Sequence, residues 1–176
     1  MRELAYNWGA ENTYPALAIN SYVWNYITEE HPDFVSQYNG VIPIYPIYDA
    51  TGADAKWKGK PYIVYDSLLR INPGPFYPMR KEQLMYQIKG DVQDVIGLRE
   101  LIINLLNRGD DAGKDINEHY CPINPDFQTF IECVKCFQIN FTNEETKPNT
   151  NKQNYVASLV VEYEYHPTKI INDGND

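Results

Sequence analysis

The residues best able to do chemistry lie close together: His119-Tyr120-Cys121 is followed by Cys133-Val134-Lys135-Cys136. A Cys-x-x-Cys pair with another cysteine and a histidine nearby has the composition of a structural zinc site with three thiolates and one imidazole. The spacing argues against it. Residues 133–141 read as a strand, in which side chains three apart point to opposite faces. Neither Gly nor Pro stands between Cys133 and Cys136 to make a zinc knuckle. Free thiols are therefore favoured over zinc held by His119, Cys121, Cys133 and Cys136. As a redox pair the two cysteines also lack the strand-to-helix placement that lowers a thiol pKa.

A second pattern, Asp111, Gly113, Asp115 and Asn117, alternates like a calcium loop. Counted from Asp111, however, Ile116 and Pro122 stand where an EF-hand needs its turn glycine and its bidentate glutamate. A capped, solvated short helix accounts for the segment better. The three histidines, His31, His119 and His166, are isolated from one another, and two directly precede prolines. No glycine-rich phosphate loop is present, and the acidic residues stand singly on polar faces rather than in pairs suited to acid–base work. The expectation is a protein with no catalytic residue, no cofactor and no resident metal, which points to an interaction protein.

The elements that would carry such a function centre on residues 83–108. Residues 83–90 read as a strand running into an amphipathic helix over 92–106. Val92, Val95, Ile96, Ile102, Ile103 and Leu106 form its stripe, widened by Leu98, Leu101 and Leu105. Asp91 is placed to cap it, Asp94 adds charge to its first turn, Arg108 suits its last, and Gly109 can take the left-handed position beyond it. Gly97 in mid-helix costs about 1 kcal/mol against Ala.

Before this unit, residues 16–30 form a helix with Ala16, Ile19, Val23, Tyr26 and Ile27 on one face. Leu17, Tyr22 and Trp24 imply a second covered side, and His31-Pro32 ends the helix. Residues 41–48 are apolar, but Pro43 and Pro46 confine them to an edge strand or an extended arm. Residues 61–70 read as a strand, followed by a rigid loop with Pro73, Pro75 and Pro78. After the unit come a short helix through Asn117 and two strands, 133–141 and 155–165. The second alternates, with Tyr155, Ala157, Leu159, Val161, Tyr163 and Tyr165 on one side, and His166-Pro167 closes the sheet. The polar stretch between these strands far exceeds the roughly 2–5 residues a hairpin needs.

The fold expected is α+β, a small, mostly antiparallel sheet packed by the central helix and the N-terminal one, in the order α-β-β-α-β-β. Residues 14–167 make one domain, preceded by an arm at 1–13 and followed by a loose tail at 168–176.

The bulk properties fit that reading. A 176-residue chain is long enough for one real core. Fifteen tyrosines, several on strand-like alternations, suit half-buried sheet surfaces and subunit contacts. A net charge of −9 argues against a sequence-independent grip on nucleic acid, though a negative wall lets DNA pass without holding it. Residues 1–12 show no signal-peptide pattern, and no apolar run approaches the roughly 18 residues of a membrane span. Three cysteines suggest a reducing compartment. Asn140-Phe141-Thr142 is a formal glycosylation sequon with nothing beside it to imply secretion.

In the order of its elements, over residues 16–166, the chain resembles the tail terminator and tail completion proteins of long-tailed bacteriophages. The residues carrying the likeness are KPYIVYDSLL at 60–69, YQIKGDVQDVIGLRELIINLLNR at 86–108 and YVASLVVEYEYH at 155–166. None is a diagnostic signature, since such proteins are known by topology. The resemblance implies a structural virion protein at the tail–neck junction, assembled in the host cytoplasm and not an enzyme. It implies a homo-oligomeric ring, usually a hexamer, that caps the tail tube and joins it to neck or connector proteins. A tail sheath is a further potential neighbour, and DNA passes through the channel unbound.

Carried onto this chain, the contacts implied are Asp110 and Asp111, and the hairpin tip with Asn143, Glu144, Glu145, Lys147, Asn149 and Lys152. Pro43, Tyr45 and Pro46 form an arm across a neighbour. The resemblance does not account for the three cysteines. Two alternatives stay open: a head-side connector (a head-closure or adaptor protein), and a small zinc-binding or enzymatic α+β domain.

Overall fold

The computed structural model describes residues 15–47, 53–57, 59–71, 80–119, 127–144 and 154–169. In chain order its elements are α1 (Pro15–Glu30), α2 (Pro32–Ser36), β1 (Ile44–Pro46), α3 (Ala53–Lys56), β2 (Tyr62–Ile71), β3 (Arg80–Gly90), α4 (Val92–Leu106), α5 (Asp110–His119), β4 (Phe127–Glu144) and β5 (Asn154–Lys169). The α+β class is as expected, and the long elements keep the expected order, with α2, β1, α3 and α5 inserted between them. The five strands form one mixed sheet in the order β1-β2-β3-β5-β4. Only β1 pairs in parallel, with β2; the other three pairings are antiparallel.

The helix over 92–106 falls where its periodicity places it. Its seam is shifted, however: Val95, Leu98, Ile102, Leu105 and Leu106 are the buried residues. Leu98 and Leu105, expected to widen the stripe, are its centre, while Val92, Ile96 and Ile103 are half-buried at its flanks. Nine apolar positions in close sequence offer several nearly equivalent faces, and contact with β3, β4 and β5 selects one. Asp91 takes the N-cap position with extended backbone, but its side chain makes no capping hydrogen bond. Arg108 lies just past the helix rather than in its last turn, and Gly109 is left-handed, at φ +66°.

Helix α1 buries Ala16, Ala18, Ile19, Tyr22, Val23, Trp24 and Ile27, so its covered arc is wide. Leu17, expected within that arc, is instead 54% exposed. From α1, Asn20 accepts a hydrogen bond from the buried Tyr86 hydroxyl of β3. That bond ties the helix to the same sheet face that α4 covers. Past α1, Tyr38 is fully buried among Trp24, Phe34 and Trp57 in edge-to-face contacts, and its hydroxyl donates to the Pro61 carbonyl.

The strands run longer than their sequence patterns suggest. β3 starts at Arg80, β4 spans 127–144, and β5 continues past His166-Pro167 to Lys169, so that dipeptide does not close the sheet. Pro167 pairs with Thr129. The loops with Pro73, Pro75, Pro78, Pro122 and Pro125, the arm at 1–13 and most of the tail lie outside the described residues.

Candidate functional site: the two edges of the sheet

With β5 inside the sheet, its outermost strands among the described residues are β4 and β1. A sheet edge presents unpaired backbone donors and acceptors, which natural proteins cover or blunt. The first half of the β4 edge is covered by two asparagine side chains. Asn117 Nδ2 donates to the Ile131 carbonyl at 2.8 Å, and its Oδ1 accepts from the Ile131 N–H at 2.7 Å. Asn107 does the same for Cys136, at 2.6 and 2.8 Å. Each amide offers one donor and one acceptor, as a neighbouring strand would. Asn107 is the C-cap residue of α4 and Asn117 lies in α5, so two helices supply the cover. The connection between them is held by Arg108, which reaches Tyr22 of α1 and Asp115 of α5.

The second half of the β4 edge is different. The pairs with β5 alternate between hydrogen-bonded and open, and Ile131 and Cys136 turn their groups outward. By that alternation Gln138, Phe141 and Asn143 turn theirs outward too, opposite Leu159, Ala157 and Tyr155. Here Phe137 and Ile139 are 43% and 55% exposed. Ile139 is the extra residue of a bulge between Gln138 and Asn140. Arg99 of α4 donates to Gln138 at 3.0 Å and lies 5.6 Å from the centre of the Phe141 ring, which stacks on Tyr155.

At the opposite edge, β1 is three residues long. The Pro43 carbonyl accepts from Ile63 N–H at 2.8 Å, so Pro43 and Tyr45 turn toward β2 while Ile44 and Pro46 turn outward. Pro46 withholds a donor from the free side, which shortens any further ladder. Val41, Ile42 and Ile47 around it are all substantially exposed. Tyr45 accepts a hydrogen bond from Trp57 Nε1 at 2.7 Å, and Lys56 and Lys60 lie over the Trp57 ring.

Of the residues singled out in the sequence, Pro43 is buried, Tyr45 and Pro46 are half-buried, and Asp110, Asp111 and Asn143 are exposed. Asp110 and Asp111 occupy the first turn of α5, where a negative charge is favoured. Glu144 ends β4, while Glu145, Lys147, Asn149 and Lys152 lie outside the described residues. In the cysteine group, Cys133 is exposed and Cys136 is buried, its thiol pushed up by desolvation to about 12. Cys133 sits in a bulge at φ +51°. His119 ends α5, and Cys121 lies outside the described residues. Among the described residues no three His, Cys, Asp or Glu side chains gather into a metal-binding group. No helix there is long and apolar enough to cross a membrane.

Sequence reasoning missed the paired amides of Asn107 and Asn117, the exposed Phe137 and Ile139, and one buried carboxylate. Glu82, 1% exposed, accepts hydrogen bonds from Tyr163 at 2.8 Å and Tyr165 at 2.9 Å. The tyrosine alternation on β5 hinted at these hydroxyls, but their shared partner lies on another strand. Compared with known proteins, the chain matches no family model and no curated sequence.

Proposed function

We propose that this chain is a structural virion protein of the tail terminator or tail completion kind, forming a ring that caps a tail tube and passes DNA without binding it. One observation carries the reading. The strand of the 80–106 unit, β3, is the central one of the five, and exposed apolar residues lie on β4 (Phe137, Ile139) and beside β1 (Val41, Ile42, Ile47). A subunit with apolar surface at two separate places is suited to meeting two neighbours, as a ring requires. The acidic balance of the chain suits a channel that releases DNA. In this reading the protein performs no chemistry, and its partners are further copies of itself, the tube protein and the neck.

The test is the mass of the purified protein, alone and mixed with tail tubes, together with negative-stain images. Rings, or caps at one tube end, support the reading. Binding to the portal side instead would make the chain a head-side connector. A monomer that ignores both would sink either assignment.

A further inference from the structure

We infer that the Arg108–Asp115 ion pair is a salt-sensitive clamp on one of the two amide covers of β4. It holds α5, and with it Asn117, against Ile131, while the matching cover of Cys136 by Asn107 does not depend on it. This inference is independent of the ring reading.

The two covers make the same hydrogen bonds but have different supports. Asn107 ends α4, whose buried seam packs against the sheet, and its backbone N–H donates to the Ile103 carbonyl at 3.0 Å. Asn117 is carried by α5, in which Ala112 and Ile116 are fully buried. Asp115 and Asn117 are two residues apart, about 200° around a helix. The helix is thus gripped from two sides, by α1 through Asp115 and by β4 through Asn117. Arg108 completes the first grip. Its guanidinium donates to Asp115 and to the Tyr22 hydroxyl, and its Nε donates to the Leu105 carbonyl at 3.2 Å. Tyr22 itself donates to Asp115 at 3.3 Å. One side chain therefore joins the end of α4, α1 and α5.

The Arg108 and Asp115 side chains are 42% and 38% exposed. Dissolved salt weakens an ion pair so open to water. The bonds between Asn107 and Cys136 join neutral groups on a helix held by apolar packing, and they carry no such dependence. Ionic strength thus sets how often the N–H and carbonyl of Ile131 are released outward, where a sheet edge can accept another strand.

The test is hydrogen exchange of the full chain, resolved to single amides by fragmentation mass spectrometry. In the wild type, raising sodium chloride from roughly 0.05 M to 1 M should speed exchange at the Ile131 amide by about two- to fivefold. The Cys136 amide and those of α4 should keep their rates. Arg108→Ala at low salt should reproduce the faster rate at Ile131 and remove its salt dependence. Equal responses at Ile131 and Cys136, or none at Ile131, overturn the inference. So does a salt effect at Ile131 that persists in the variant. If the variant speeds exchange throughout α4, it is destabilised as a whole, and the wild-type salt series alone decides.

Discussion

Asn107 and Cys136 are joined by two hydrogen bonds that use both ends of one amide and both backbone groups of one strand residue, at 2.6 and 2.8 Å. The amide fixes the end of α4 to β4 and closes a gap in the sheet edge. Replacing Asn107 with Ala removes both bonds, and an unfolding free-energy loss of about 1–3 kcal/mol is expected from urea titration. Asn107→Asp is the sharper variant. It keeps the shape and the acceptor, but it sets an oxygen against the Cys136 carbonyl, so it should recover none of the loss.

The buried Glu82 gives a second prediction. Its two oxygens accept from Tyr163 and Tyr165 on the neighbouring strand. Tyr163→Phe removes one donor from a carboxylate shielded from water and should cost about 1–3 kcal/mol. Glu82→Ala removes the acceptor that both hydroxyls share. The double variant should be less damaging than the sum of the two single variants, by more than about 0.5 kcal/mol in a denaturation cycle.

Gly97 gives a prediction of the opposite sign. It lies on the exposed side of α4, and a methyl group added there meets nothing within 4 Å. No close approach requires glycine at this position. Gly97→Ala should stabilise the protein by about 1 kcal/mol through helix propensity, seen as a higher urea midpoint with an unchanged slope.

Alkaline sensitivity follows from burial. Desolvation moves the Cys136 thiol from its ordinary 9.0 to about 12, and it also raises the Tyr38 and Tyr86 hydroxyls above their ordinary 10.0. Between the unfolded and folded values the unfolded chain has lost protons that the folded chain retains. Stability should therefore fall as pH rises above about 9. Cys136→Ala removes one contributor, and its stability should decline less steeply between pH 9 and 12. If the two slopes match, Cys136 is not a source of the loss.

The parts legible in the sequence were those set by local pattern. Helix α4 was read end to end because its apolar residues recur at helical spacing and Asp91 marks its start. The prolines of residues 41–48 placed β1 at an edge, where it is found. What escaped were relations between distant elements. Leu17 cannot be told from its buried neighbours until α1 is docked. The bulges at Cys133 and Ile139 exist only against the register of β5. Asn117 looked like part of a failed calcium loop because its partner, Ile131, lies 14 residues away. For the same reason the exposure of Phe137 and Ile139 is not legible: it depends on how β4 lies in the sheet.

The strand order has a consequence for how the protein is made. β5 follows the other four strands in sequence, yet it lies between β3 and β4. Until residues 154–169 have been synthesised, the facing edges of β3 and β4 both stand bare, and α4 covers a sheet that lacks the strand between them. Closure requires β5 to insert along 11 paired positions of β3 while it also zips against β4. Such non-local pairing is slow, and unpaired edges in the waiting chain invite association with other unfinished copies. The nascent protein is thus most prone to misassembly just before its last strand arrives.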